Sequence, residues 1–227
     1  MKIGIFSDIH GNIYAFEKVF QQLRAAALDR YIFCGDLCGY YYHQNAIVDM
    51  LESFENLVGV IGNHDQLFLR CLEDVRVLGP YTERYGTSLQ ALRQTVSHKT
   101  LSFLRRLPDR YIDETHGVAV FHGSPWDPCH EYVYPTDAVD RFADLPYRYV
   151  VLGHTHHAML KRAHDVVILN PGSCGQPRDM TLPSYAILDV DSGDIELERV
   201  SYDPKPLLAE IKRRGETNPY LSRVLQR

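Results

Sequence analysis

The sequence lacks any long uninterrupted apolar run. None of its apolar stretches approaches the roughly 20 residues that a membrane-spanning helix needs. The first strand-like run begins directly after Met1 and Lys2, which leaves no room for a secretory signal peptide. We therefore expect a cytoplasmic protein that does not interact with a membrane.

Positive charge is also in deficit. The chain has 24 Lys and Arg residues against 29 Asp and Glu residues, which gives a formal net charge of −5 at pH 7. This balance offers no broad basic surface for a long polyanion, so nucleic acid would have to be held mainly by bound metal. A small substrate is therefore favoured over nucleic acid.

Cysteine is scarce and irregularly spaced. An odd number of cysteines without paired zinc-type spacing predicts reduced thiols and not a disulfide framework. Because Cys34 lies inside an apolar run, we interpret Cys34 and Cys38 as buried thiols and not as a metal pair. The five cysteines are Cys34, Cys38, Cys71, Cys129 and Cys174.

The composition that remains is typical of an ordinary globular protein. Of 227 residues, 45% are hydrophobic and 23% are charged, and a chain of this length can bury a full core as one domain. There is no internal repeat, linker or low-complexity segment. We therefore expect a single domain over residues 1–227, and a homo-oligomer is compatible with the sequence.

Short apolar runs alternate with helical patterns along the chain. Asn12 and Ser97 are predicted helix caps, and Pro108 is a predicted helix stop. Strands are predicted at 2–7, 31–34, 57–61, 117–121, 149–152 and 166–169, a hairpin at 184–200, and helices after Asn12, at 45–54, at 205–214 and, as a pair, at 82–107. Apolar strands that alternate with helices predict an α/β fold whose sheet is covered on both faces. Residues 123–135 are predicted to be an active-site loop.

Five polar clusters recur, each where a predicted strand ends. Strand ends at one edge of such a sheet are where this architecture binds ligands, so the clusters can converge. Together they supply three carboxylates, one amide oxygen and five imidazoles, a mixture that borderline divalent cations prefer more than Mg²⁺ or Ca²⁺ do. The clusters are Asp8-Ile9-His10, Gly35-Asp36, Gly62-Asn63-His64-Asp65, His122-Gly123 and Gly153-His154-Thr155-His156.

Each cluster taken alone has an ordinary structural explanation. An isolated Asp8 or Asp36 would be interpreted as a helix cap or turn residue, and an isolated buried histidine as a core residue. The pair His154 and His156 differs, because alternate residues of an extended segment project to the same side and can reach adjacent ions. The combination of all five clusters therefore favours a pair of metal ions.

In this order, the clusters read D-x-H, G-D, G-N-H-[DE], H and G-H-x-H. The chain resembles the calcineurin-like metallophosphoesterases, in particular their compact bacterial and archaeal phosphodiesterases. The resemblance implies a four-layer α/β/β/α sandwich of two mixed β-sheets flanked by helices. It also implies that one ion is held by Asp8, His10, Asp36 and His156, and the other by Asp36, Asn63, His122 and His154.

The implied chemistry is hydrolysis of a small phosphate ester by two divalent ions. Such ions can share a water molecule, lower its pKa and clamp the oxygens of an in-line displacement. If both are divalent, the carboxylates of Asp8 and Asp36 and a bridging hydroxide leave about one positive charge, which suits a phosphodiester monoanion. Mn²⁺ is the favoured metal, with Fe, Zn, Co and Ni as alternatives.

The remaining predictions concern catalytic and substrate-binding side chains. His64 is expected to stabilise the phosphoryl group or assist the leaving group, with Asp65 fixing its tautomer and orientation. Candidate substrate contacts are Tyr40, His157 and Arg178, and weaker candidates are His43, Trp126 and His130. Phosphodiesterase activity is the favoured function. A phosphomonoesterase, a nuclease and a non-catalytic scaffold protein of the same fold are the alternatives.

Overall fold

A computed structural model describes residues 1–227, and its strands form two five-stranded sheets. The strands are β1 (Lys2–Phe6), β2 (Arg30–Phe33), β3 (Leu57–Gly59), β4 (Arg110–Asp113), β5 (Val118–Phe121), β6 (Tyr149–Val151), β7 (Ala158–Ala163), β8 (Val166–Pro171), β9 (Ser184–Asp189) and β10 (Ile195–Arg199). The helices are α1 (Ile13–Ala25), α2 (Gln44–Leu51), α3 (Asn63–Glu73), α4 (Leu78–Tyr85), α5 (Ser88–Thr95), α6 (His98–Arg106), α7 (Lys205–Arg213) and α8 (Pro219–Arg223). No helix combines the length and the apolar character that crossing a membrane would require.

The first sheet has the order β10-β9-β1-β2-β3. Strands β1, β2 and β3 are parallel, and the hairpin β9–β10 adds two antiparallel strands at the side of β1. On the outer face of this sheet, Phe6 and Phe33 pack with Phe16 of α1, Phe68 of α3 and Phe103 of α6. The apolar stripes of these helices cover the sheet, because a parallel sheet must be buried on both faces.

The second sheet has the order β4-β5-β6-β8-β7, with β5, β6 and β8 parallel. The two sheets pack face to face, and the layer between them includes Ile5 and Ile32 from the first sheet and Val120 and Val151 from the second. The outer face of the second sheet packs against residues from the segment after β5, including Phe142. The predicted sandwich of two mixed sheets is confirmed.

The parallel strands of each sheet direct their carboxyl ends, and the loops that follow them, towards a shared edge. Asp8 lies two residues after β1, and Asp36 lies three residues after β2. His122 directly follows β5. The loops are joined by backbone hydrogen bonds, such as Asp8 N to Gly35 O (3.0 Å) and Gly153 N to His122 O (2.9 Å). The two sheets therefore meet at one set of polar loops.

Several elements differ from the sequence predictions. The interval 82–107, predicted as two helices, contains the end of α4 together with α5 and α6, because Gly86 adopts a φ of +89° and ends α4. Helix α3 was not predicted, and it begins inside the polar cluster at Asn63. Strand β7 was also not predicted, because half of this edge strand faces solvent and it carries Lys161 and Arg162. All five cysteines are buried and unpaired, as predicted.

Candidate metal centre

The loops that carry the polar clusters have an unusual backbone. Five of the seven predicted metal ligands adopt positive φ angles between 49° and 68°; they are Asp8, His10, Asp36, His154 and His156. A non-glycine residue in this left-handed region costs of order 1–3 kcal/mol, and such strain concentrates at functional sites. The rest of the fold holds these residues there, which places their side chains at one point.

The first cluster consists of Asp8, His10 and His156, whose ligand atoms all lie within 4.8 Å of one another. Nδ1 of His10 lies 2.6 Å from the carbonyl of Cys38, and Nδ1 of His156 lies 2.6 Å from the carbonyl of Gln176. A carbonyl oxygen only accepts, so both protons are on Nδ1 and both Nε2 atoms carry a lone pair. These Nε2 atoms face each other at 3.0 Å. Two lone pairs this close together in a buried site fit ligation of one cation by both imidazoles.

The second cluster consists of Asp36, His122 and His154. Nδ1 of His122 donates to the carbonyl of Cys34 (2.7 Å), so in the neutral imidazole the lone pair is on Nε2. The Nε2 atom of His122 lies 3.3 Å from Oδ2 of Asp36 and 3.1 Å from Oδ1 of Asn63. His154 has the opposite tautomer, because its Nε2 donates to the carbonyl of His130 at 3.3 Å. Imidazole, carboxylate and amide groups thus converge here as well.

Asp36 lies between the two clusters. Its Oδ2 is 3.3 Å from Nε2 of His122 and 3.7 Å from Nε2 of His10. Its Oδ1 accepts the backbone N–H of His64 at 2.9 Å. Oδ2 is therefore the Asp36 oxygen that faces both clusters.

The clusters contain buried oxygens without a hydrogen-bond partner. Asp8 Oδ1 and Asp36 Oδ2 are both buried and unpartnered, although a buried carboxylate oxygen is expected to be paired or to bind a metal. Each oxygen belongs to one of the two clusters. The residues therefore fit two cations, one per cluster, and oxygen with imidazole nitrogen is a donor set for borderline metals.

The electrostatics agree with a cation site. Burial alone would raise the pKa of Asp36, but the imidazoles of His122 and His64 hold it well below its usual range. Burial lowers the pKa of His156 well below its usual value, and the charge of Arg178 adds to this effect. The pKa of His122 is raised to about 9 against the effect of burial, because Asp36 attracts a proton to it. A divalent cation would replace that proton, since metal ligands bind in their deprotonated form.

The geometry of the H-x-H segment differs from the extended segment that the sequence predicted. His154 and His156 have φ angles of +68° and +61°, and the N–H of Thr155 between them donates to the carbonyl of Gly153 at 2.7 Å. The segment is therefore a tight turn. His156 joins the first cluster and His154 the second, so the two histidines do reach adjacent sites, but through the turn and not through strand alternation.

Asp65 does not have the position that we predicted. Its carboxylate accepts three backbone N–H groups, those of Asp36 (2.9 Å), Cys38 (2.8 Å) and Gly62 (3.1 Å). Burial raises its pKa to about 6, with the charge of Asp36 adding to the shift and the amide donors of Cys38 and Gly62 opposing it. Asp65 therefore joins the loop after β2 to the start of α3 and makes no hydrogen bond to the His64 ring.

The hydroxyl of Tyr81 on α4 is the group that contacts the His64 imidazole, at 3.2 Å from Nδ1. Tyr81 is buried, and the other ring nitrogen of His64 makes no hydrogen bond within the protein. Burial lowers the pKa of His64 to about 3, so its imidazole is neutral at physiological pH. Gly39 packs closely against the His64 ring. A side-chain Cβ at position 39 would lie 2.8 Å from His64 Nδ1 and 2.9 Å from His10 Nδ1.

Of the predicted substrate contacts, Tyr40 and Arg178 lie beside the clusters. Tyr40 is only 3% exposed, and its ring packs edge-on against His10 with centroids 4.5 Å apart. This burial leaves the Tyr40 ring no open face for a substrate. Its hydroxyl lies 3.0 Å from Nη2 of Arg178. Arg178 Nε is buried and unpartnered, so the guanidinium has a free donor. Arg178 lies close to His156, because its backbone N–H donates to the carbonyl of His156 at 3.1 Å.

The other predicted contacts are placed differently. His157 is half-buried, and its Nδ1 donates to the carbonyl of Thr155 at 2.8 Å. His43 pairs with Glu210 at 2.6 Å, a contact to α7 and not to either cluster. Trp126 packs edge-on against Phe142 (4.9 Å), and the Arg141 guanidinium lies 4.1 Å from its ring centroid. The side chain of His130 is exposed, and only its carbonyl reaches the site.

Tyr81 and Tyr132 are site residues that the sequence reasoning missed. Tyr132 stacks on the His154 ring with centroids 3.8 Å apart and an interplanar angle of 26°. The cluster of aromatics after His122 was a signal for Tyr132, whereas no local pattern marks Tyr81, which lies 17 residues from His64. A cavity of about 580 Å³ is lined by residues such as Phe54, Phe103 and Pro108 and includes no residue of either cluster.

Several known proteins are similar to this chain in sequence or in structure. The chain is 30% identical over 92% of its length to the uncharacterized protein MJ0912 of Methanocaldococcus jannaschii, of which 91% is covered. A metallophosphoesterase from Sphaerobacter thermophilus superposes with a TM-score of 0.83 at 28% identity, covering 99% of this chain and 98% of that one. An archaeal phosphodiesterase shares the fold, with a TM-score of 0.55 at 19% identity over 88% of this chain and all of that one.

The match to a known family extends over most of the chain. Residues 1–193 match the calcineurin-like phosphoesterase superfamily domain, and this span contains β1 to β9 and every residue of the two clusters. Members of such a family act on phosphate esters with divalent metals, and the two clusters of this chain offer donors for those ions. The chain therefore belongs to the calcineurin-like phosphoesterase superfamily.

Proposed function

We propose that this protein is a dinuclear-metal-dependent phosphodiesterase that hydrolyses a small phosphate ester. The observation that carries the proposal is the pair of buried clusters in which acceptor atoms face one another, above all the Nε2 atoms of His10 and His156 at 3.0 Å. Without cations this arrangement would leave lone pairs opposed in a buried site. Asp36, between the clusters, would then be a ligand of both ions.

The proposed ligands of one ion are Asp8, His10, Asp36 and His156, and those of the other are Asp36, Asn63, His122 and His154. Two divalent ions held there would supply an activated water as nucleophile and would neutralise charge on the phosphoryl oxygens. The backbone carbonyls of Cys38, Gln176 and Cys34 fix three of the imidazoles in the tautomer that binds metal. Such outer contacts orient metal ligands and raise their basicity.

His64 would act on the phosphoryl group or the leaving oxygen as a neutral hydrogen-bond donor. The Tyr81 hydroxyl can donate to Nδ1 of His64, which places the ring proton on the nitrogen that has no protein partner. Because the ring is buried against other aromatic rings, its N–H would act in a site with little competing water. A donor fixed in advance where charge develops is worth more than one that must reorient.

Arg178 is the proposed cationic contact for a non-bridging phosphoryl oxygen. Tyr40 holds one end of its guanidinium, while Nε has no partner in the buried site. A guanidinium binds phosphate oxygens through directed, charge-assisted hydrogen bonds. The small positive charge that remains on the metal site after its carboxylates are counted favours a monoanionic diester, although a dianionic monoester would also be attracted.

The test is hydrolysis of bis(p-nitrophenyl) phosphate by the purified protein with added Mn²⁺, followed by a panel of other metals, monoesters and diesters. We expect metal-dependent release of p-nitrophenol that a chelator abolishes. His64→Ala should lower kcat by about 10²–10⁴-fold while the metal content measured by mass spectrometry stays the same. His98→Ala is the matched control, because His98 is an exposed histidine at the start of α6. Turnover that persists without metal would contradict the mechanism.

A further inference from the structure

Three aromatic rings form a column beside the second cluster. Tyr132 stacks on His154, and Tyr134 lies parallel to Tyr132 with an interplanar angle of 5° and centroids 5.6 Å apart. His157 meets the Tyr134 ring edge-on at 5.9 Å. Tyr132 and Tyr134 belong to the loop after β5, whereas His154 and His157 belong to the loop after β6. The column therefore joins two loops and leads from a proposed metal ligand to the surface.

The outer rings of this column remain open to solvent. Tyr132 is 46% exposed and Tyr134 is 37% exposed, and neither hydroxyl makes a hydrogen bond within the protein. Tyr132 thus presents a partly open aromatic surface next to the site. Trp126 of the same loop differs, because Phe142 and Arg141 pack against its ring.

The loop is held in place without these two rings. Val133 between them is buried against the second sheet, so the alternating pattern directs the tyrosines away from that core. Ser124 bonds to Glu131, Arg141 bonds to Glu131 at 2.8 Å, and the N–H of Tyr134 donates to Asp137 at 2.7 Å. None of these bonds uses a tyrosine ring. The exposed part of each tyrosine ring is therefore not used to hold the loop.

Arg178 lies beside His156 of the first cluster, whereas Tyr132 stacks on His154 of the second cluster. Arg178 has the unpartnered buried Nε. An anion contact beside one cluster and an aromatic surface beside the other match a ligand that contains both a phosphate and an aromatic ring.

We propose that Tyr132 and Tyr134 form a stacking subsite for an aromatic ring carried by the phosphate ester, either a nucleobase or an aryl group. This inference rests on the proposed function, because it takes the phosphate to lie at the metal clusters. Stacking of a base on an aromatic side chain contributes about 1–3 kcal/mol. The subsite would select esters with an aromatic substituent and would not alter the reaction itself.

Calorimetric titration of the Mn²⁺-loaded protein tests the subsite. The probes are AMP against ribose 5-phosphate, and phenyl phosphate against methyl phosphate, so that each pair differs in its ring and keeps a phosphate monoester. We expect Tyr132→Leu to weaken binding of the ring-bearing probe by about 5- to 150-fold and to leave its ring-free partner within about 2-fold. Tyr132→Phe should retain the wild-type affinity, and Trp126→Ala is the matched control for loss of an exposed ring from this loop.

The outcomes separate the subsite from the function. A selective loss for AMP identifies a nucleobase subsite, and a selective loss for phenyl phosphate identifies an aryl subsite. Equal weakening of all four probes would overturn the proposal, because Tyr132 would then act only by supporting His154, and no weakening of any probe would overturn it as well. Failure of the proposed function would give a different result in the hydrolysis test. Metal-loaded wild-type protein would then bind these phosphates but hydrolyse none of the esters in the panel.

Discussion

The hydrogen bond between Tyr81 and His64 leads to the sharpest test of the proposed catalytic role. Tyr81→Phe removes one hydroxyl and keeps the ring, which is 3% exposed and therefore out of reach of a substrate. The bond it removes is neutral and 3.2 Å long. Such a bond contributes a net 0.5–1.5 kcal/mol or so, which corresponds to roughly a 2- to 12-fold reduction in kcat.

Other measured quantities should stay constant. KM should not change, because Tyr81 does not contact the proposed phosphate site, and the metal content should not change, because Tyr81 contacts neither cluster. The His64 ring would remain packed between the rings of His10 and Tyr85, each with centroids about 5 Å away. The expected defect is therefore much smaller than the loss caused by removal of His64 itself.

Steady-state kinetics of four proteins measure this coupling. They are the wild type, Tyr81→Phe, His64→Ala and the double variant, each with its metal content determined. If Tyr81 acts only through His64, its substitution should have no further effect on kcat once His64 is absent. An unchanged kcat in the single variant, or the same reduction in both backgrounds, would refute the reasoning. In either case the position of the His64 ring would have to be fixed by packing alone.

Two further substitutions test the metal bridge and the phosphate contact. Asp36→Asn should weaken both sites together, so that dialysed protein retains fewer than about one metal ion per chain by mass spectrometry; retention of two ions with wild-type affinity would remove Asp36 from the bridge. Arg178→Gln should raise KM by about 10- to 150-fold, the worth of a charge-assisted hydrogen bond, and leave the metal content unchanged. A KM equal to that of the wild type would exclude Arg178 as a phosphate contact.

The sequence predicted the interior of the fold better than its periphery. Strands β1, β2, β5, β6 and β8 are continuous apolar runs, because each is covered on both faces, and every one was anticipated. The strand β7 lies at an edge and contains the adjacent charged residues Lys161 and Arg162, so it lacks that signal. The division of the helical interval near Gly86 depends on one left-handed residue, which the apolar pattern does not reveal.

The predicted site residues were found from residue types and their order, and the structure brings all seven proposed ligands to one edge of the two sheets. The error concerned Asp65, which is adjacent in sequence to His64 but bonds to the backbone of the loop after β2. In a helix, successive side chains point about 100° apart, so neighbours in sequence do not face each other. The partner of His64 comes from a different helix, and only the packing of α4 against α3 brings it there.

The sequence by itself determined the class of fold, the family and the set of residues able to bind metal, because apolar periodicity and ligand chemistry are local properties of the chain. The tertiary structure decided which oxygen of Asp36 faces both clusters, which tyrosine contacts His64, and which aromatic rings stay open beside the site. These features depend on contacts between residues as distant as Tyr132 and His154, or Tyr40 and Arg178. Such contacts join loops that are far apart in the sequence and form only when the chain folds, so no local pattern encodes them.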